Sequence, residues 1–251
     1  AVNETRVDEF RTGEKDFISH LKELLASDEV DGLVPRMSGS LPRLLASLRS
    51  GSSVKELSDQ VVSDPQLLAN ILKVVNSPFY RAKSKKIENV DEALVILGED
   101  GLREVIASVI LGPIMVTTAV PGVDTSLSSS LWGESLKCAV TCRSFARMRG
   151  STDPFAVFLS GLTNSVGLAA TLQLMTKVDH PLSHPFSVPF LTLVQELYRK
   201  LSFHIVKRWE FPGRSQDILE AFAYGHGSKD IDSDLEVLRD SIRLAFTHTL
   251  H

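Results

Sequence analysis

SDPQLLANILKVVNSPFYRAKSKKIENVDEALVILG, residues Ser63 to Gly98, decides the fold. Asp64-Pro65 is a strong helix start, an N-cap acceptor followed by a proline whose missing N–H is of no consequence at the first helical position. Leu67, Leu68, Ile71, Leu72, Val74 and Val75 then lay out a broad apolar face at helical spacing. Asn76-Ser77-Pro78 ends that helix, because a residue before proline is pushed out of the α region. Asn89 and Glu92 form a capping-box arrangement for a second helix with Ala93, Leu94, Ile96 and Leu97 as its stripe, and Gly98 supplies a left-handed terminus. Leu72 and Leu97 are expected in the core.

The rest of the chain is punctuated in the same way. An amphipathic helix is expected over 8–26, a connector over 27–40, and short helices from Leu41-Pro42 and from the Ser53/Glu56 capping box. Residues 101–110 continue at helical period, 122–130 read as a polar loop, and Trp132–Met148 as a long helix. Asp153-Pro154 repeats the Asp-Pro start, and helices follow at roughly 190–209, 214–224 and 233–247. No strand alternation or tandem period is present, so the chain reads as all-α.

DPQLLANILKVVNSPFY, then IENVDEALVILG, then GLREV resembles the HDOD domain family, non-catalytic relatives of the metal-dependent HD phosphohydrolases. The matching residues include Asp64, Pro65, Leu67, Ile71, Leu72, Asn76, Ser77, Ile87, Val90, Ala93, Leu97, Gly98, Leu102 and Arg103. Several spaced matches over forty residues are far more specific than one short motif. The resemblance covers 36–228, with 1–35 as an N-terminal helical extension and 229–251 as a closing helix. It implies an HD-like domain of two packed helical lobes.

It also locates a degenerate cleft. Where the family's phosphohydrolase relatives carry GLLHDIG, this chain has Gly161-Leu162-Thr163-Asn164-Ser165-Val166-Gly167, and LWGES (131–135) puts Glu134 in a histidine position. Asn164 and Ser165 stand at the His-Asp dyad, and one carboxylate with an amide and a hydroxyl makes a poor transition-metal site. His226 sits near where relatives carry a histidine pair. The resemblance therefore implies no catalytic residue, no metal and no cofactor. What it leaves is a bacterial signal-transduction module that binds signalling proteins or a small ligand. A phosphohydrolase with rearranged ligands is the alternative.

Composition bounds the partners. The chain has 251 residues, 27 Lys and Arg against 31 Asp and Glu, and a net charge of −4, which gives no overall attraction to nucleic acid or anionic membranes. Arg81-Ala82-Lys83-Ser84-Lys85-Lys86 nevertheless gathers four cations and no acid. With Asn76 at its base, this loop is the expected interaction surface, and nucleotide or nucleic-acid binding there is a further alternative. Asn76 also has a structural reading, satisfying free backbone groups at the helix end. His180 and His184 are flanked by prolines that prevent a metal-binding helix, and His20, His204, His248 and His251 are scattered. Cys138 and Cys142 suit a reduced interior. AVNETRVDEF lacks the apolar segment of a secretory leader, and Val105–Val120 is too short and interrupted for a membrane span. A soluble cytoplasmic protein is expected.

Overall fold

The helix starts marked in the sequence are built by the side chains that mark them. The computed structural model describes residues 9–27, 41–77, 86–117, 125–177, 182 and 185–247. Within them run α1 (Glu14–Ser27), α2 (Leu41–Arg49), α3 (Val54–Val62), α4 (Pro65–Val75) and α5 (Val90–Thr117). They are followed by α6 (Thr125–Met148), α7 (Pro154–Thr163), α8 (Val166–Met175), α9 (Val188–Arg208), α10 (Gly213–Tyr224) and α11 (Lys229–Thr247). No strand occurs among the described residues.

Asp64 accepts from the N–H groups of Gln66 and Leu67 at 3.0 and 3.1 Å, and Asp153 from Ala156 at 2.9 Å. Ser53 and Glu56 close the full capping box. At α5 the box is shifted: Asn89 accepts from Glu92 N–H, but the Glu92 carboxylate reaches the N–H of Glu88. Gly98 ends the first helical stretch as expected: at φ 70° and ψ −179°, a conformation reserved for glycine, it divides α5 into two helices that meet at a kink, the second running to Thr117. Residues 125–130, expected in a polar loop, are helical instead, since α6 begins at Thr125; the rest of that loop lies outside the described residues.

In α4 the buried stripe is Leu67, Ile71 and Val75, spaced i, i+4, i+8, each at most 3% exposed. Leu72 is one residue off that stripe, and both it and Leu97 are half-buried against the core rather than inside it. One hydrophobic core runs through both halves of the chain. In the first half α2, α3 and α4 pack on α5. In the second α6 packs on α7 and α11, and α8 and α10 pack on α9. α5 joins the halves by packing on α6 and α7.

The described parts of both flanking segments, α1 and α11, pack into this core. Phe17, Ile18 and Leu21 of α1 are buried against α9, where Phe17 and Phe190 meet at 5.9 Å. Glu14 is fully buried and accepts from Arg11 N–H, Ser187 N–H and the Ser187 hydroxyl at 2.7, 2.9 and 2.5 Å, which ties α1 to the start of α9. α11 is held by Arg214, whose Nε and Nη2 donate to buried Asp234 at 2.8 and 2.6 Å. Pro154–Met175 is long and apolar enough to cross a membrane, yet it is broken by the Asn164-Ser165 turn and mostly buried in this core, as a central helix pair would be.

Candidate functional site

α6 and α7 lie close because Gly161 has no side chain. A Cβ there would come within 2.9 Å of the Ala139 Cα and 2.7 Å of the Cys142 sulfur. This contact puts the end of α7, with Asn164 and Ser165, beside the Glu134–Cys138 turn of α6. The Asn164 amide donates to the Gly161 carbonyl at 2.5 Å and lies 3.8 Å from the Cys138 sulfur. The Asn164 carbonyl accepts from the Ser202 hydroxyl at 2.8 Å, and that same hydroxyl accepts from Gly167 N–H at 2.9 Å. The Ser165 hydroxyl lies 2.5 Å from that of Ser135, which is also within 2.8 Å of the Leu131 carbonyl. Asn164, Ser165 and Ser135 are all at most 4% exposed. They staple the α7–α8 turn to α6 and α9, satisfying polar groups that burial would otherwise penalise.

Glu134 is nearly buried; Oε1 is 2.7 Å from the Lys137 ammonium, while Oε2 has no hydrogen-bond partner. A divalent ion would have to compete with that ammonium and would find only an amide and a hydroxyl nearby, both already hydrogen-bonded. No group of three His, Cys, Asp or Glu among the described residues could hold a metal ion. The donor set does not fit the metal centre of an HD hydrolase. Contact with Cys142 and then burial push the Cys138 thiol well up, so it is no thiolate nucleophile.

His226 lies apart from this staple. It is exposed in the turn after α10 and lines a cavity of about 420 Å³ with Asp217, Glu220, Gly227, Ser228 and Ile231. Glu134, Asn164 and Ser165 are not in that lining.

Asn76 clamps the base of the basic loop. Its amide donates to the carbonyls of Leu72 and Ile87, both at 2.8 Å, and its oxygen accepts from Ile87 N–H at 3.0 Å. The side chain thus stands in for a backbone group and joins the end of α4 to the approach to α5. Arg81, Lys83 and Lys85 lie outside the described residues, and Lys86 is exposed. Asn76→Ala is expected to cost about 2–3 kcal/mol in urea unfolding, because Ile87, only 2% exposed, keeps two unpaired backbone groups. A loss under about 0.5 kcal/mol, the range of unremarkable surface sites, would mean that the clamp does not hold the loop.

Sequence reasoning missed three features. Glu104, 1% exposed, is ion-paired with Arg143 across α5 and α6. Arg103 donates to the Ser52 carbonyl at 2.7 Å, holding the α2–α3 turn. Glu210 adopts φ 51° after α9 and pairs with Arg49 of α2. Arg103 and Glu104 left a signal, two charges inside the largely apolar run 102–111, and Glu210 left none.

The fold has solved likenesses. An HDOD domain protein of unknown function from Geobacter sulfurreducens is 20% identical with a TM-score of 0.64, covering 92% of this chain and 78% of that one. A candidate phosphohydrolase from Shewanella amazonensis is 19% identical with a TM-score of 0.65, covering 92% and 81%. A candidate signal transduction protein from Marinobacter aquaeolei is 18% identical with a TM-score of 0.62, covering 97% and 56%. At these identities the likeness shows the fold alone. No curated protein matches the chain. The HDOD domain family, however, matches residues 34–227, more than three quarters of the sequence, and the Asp64 caps, the Asn76 clamp and the Gly161–Gly167 turn all fall within that span. The chain belongs to the HDOD family.

Proposed function

We propose that this chain is a non-catalytic regulatory module of cytoplasmic signal transduction in a bacterium, working by binding a protein or a small ligand. The observation that carries this reading is the use made of Asn164 and Ser165. The two positions where an HD hydrolase would hold its metal are engaged in internal hydrogen bonds that fix the α7–α8 turn. Binding metal there would break those bonds and leave buried hydroxyl and amide groups unpaired. Purified protein is therefore expected to carry no stoichiometric Mn, Fe, Co, Ni or Zn by elemental analysis. It is also expected not to hydrolyse bis-p-nitrophenyl phosphate when those ions are supplied. An ion near one equivalent that is lost in Glu134→Ala, or turnover abolished by the same change, would overturn the reading.

The loop Arg81–Lys86 is proposed as a contact surface for a signalling partner. Its support is the density of cations in a chain of net charge −4, presented from a base clamped by Asn76. Replacing Arg81, Lys83, Lys85 and Lys86 together by alanine should leave the fold intact and slow association with the partner, with a weaker dependence on salt. Unchanged association rates at low and high salt would remove the loop from the interface.

A further inference from the structure

Two patches of opposite charge meet at Tyr224, away from the staple and the basic loop. On one side, Lys200, His204 and Lys207 recur at i, i+4 and i+7 and so share a face of α9. Lys200 Nζ is 5.6 Å from the centre of the Tyr224 ring and Lys207 Nζ 5.7 Å from that of Phe203. His204 Nε2 is 3.1 Å from the Tyr224 hydroxyl, and the Phe203 and Tyr224 rings meet edge to face at 5.9 Å. Although Lys200 shares its charge with Glu196 at 2.5 Å, these cations are seated on aromatic faces rather than trailing in solvent. Little side-chain freedom remains to be lost when something binds them.

On the other side is the 420 Å³ cavity lined by Asp217, Glu220 and His226. Glu220 is four residues before Tyr224, so its carboxylate and the phenol share a face of α10. Tyr224 itself is 40% exposed, an aromatic residue of the kind that anchors the centre of protein interfaces.

We propose that this face is a contact between two copies of the chain related by a two-fold axis at Tyr224. The Lys200–Lys207 ridge of each copy lies on the Asp217/Glu220 cavity of the other. A two-fold contact requires one patch that complements itself, and adjacent patches of opposite sign about a shared aromatic meet that requirement. A single phosphate is a poor fit: Lys200 and Lys207 are seven residues apart, roughly 10 Å along a helix, too far for one phosphate to bridge. A uniformly acidic peptide would be drawn to the ridge but repelled by the acids next to it.

Charge reversal separates these occupants. In sedimentation velocity at about 50 mM salt the full chain should form a concentration-dependent dimer, with a dissociation constant about tenfold higher at about 500 mM salt. Lys200→Glu/Lys207→Glu makes both halves of the patch acidic, and Asp217→Lys/Glu220→Lys makes both basic. Each variant alone should be monomeric, and an equimolar mixture should form a heterodimer, because both halves of the contact regain opposite signs. Should the half-buried Lys200 tolerate Glu badly, Lys207→Glu with Glu220→Lys, both exposed positions, gives the same comparison. A wild-type chain that stays monomeric at about 200 µM, a mixture that does not pair, or a dimer that no reversal weakens would each overturn the proposal; about 200 µM would already reveal an interface of even modest affinity.

Discussion

Gly167→Ala is expected to cost about 3 kcal/mol or more and to leave part of the chain misfolded. α8 crosses α9 so closely that a Cβ at position 167 would stand 2.1 Å from the Tyr198 carbonyl oxygen, 2.5 Å from the Ser202 nitrogen and 2.7 Å from the Ser202 hydroxyl. Two of those three neighbours are backbone, so no rotamer change relieves the clash and the helices must separate. Separation would also break the Gly167 N–H to Ser202 bond and, through Ser202, the hold on the Asn164 carbonyl. Gly133→Ala in α6 is the matching control, because a Cβ there meets nothing within 4 Å. In an open helical position alanine should be neutral or stabilise by up to about 1 kcal/mol. Urea unfolding of both variants decides the matter: a Gly167→Ala loss within about 0.5 kcal/mol of wild type, as at an uninvolved surface site, would show that α8 and α9 are not in this contact.

What the sequence made legible was local. Asp64-Pro65, Asp153-Pro154 and the Ser53/Glu56 box carry their acceptors and donors within three residues, so helix starts could be read without knowing the packing. The family resemblance supplied the expectation of an HD-like domain in two packed helical lobes. What stayed hidden depends on residues far apart in the chain. Ser165 meets Ser135 and Asn164 meets Ser202, thirty and thirty-eight residues away, so their structural task left no local trace. The periodic pattern of α4 gave a broad apolar face but not its centre, which is why Leu72 was expected deeper than it lies. The start of α6 was hidden for another reason. Its first residues, TSLSSS, have weak helix propensity, and that preference is overridden in the folded chain. His226 could not be separated from Asn164 by sequence alone, since the resemblance assigned both to one cleft.

The largest expected pH-dependent effect sits between α5 and α6, at Glu104 and Arg143. Burial pushes the Glu104 carboxyl up to about 7, although Arg143 and, less strongly, Arg147 pull it down. Between its ordinary value and about 7 the folded chain therefore holds a proton that the unfolded chain has released. Stability from this group falls as pH rises through that window and levels off above it. Arg143→Met removes the strongest influence favouring the carboxylate, so the carboxyl should titrate still higher and the loss should continue above pH 7. At pH 8 the variant must either keep a proton that the solution would remove or ionise a buried carboxyl without its partner, and the expected cost is about 3–5 kcal/mol. At about pH 5 Glu104 is mostly protonated and neutral, and only a hydrogen bond and some packing are lost, about 1–2 kcal/mol. Urea unfolding at both values gives the test, with the penalty at the higher pH larger by at least about 1.4 kcal/mol, one pKa unit. The double variant Glu104→Gln/Arg143→Met should lose the pH dependence and recover much of the stability at pH 8, since it no longer buries a charge. If the single variant's penalty is the same at both pH values, Glu104 is ionised throughout, and the α5–α6 junction is held by an ordinary ion pair.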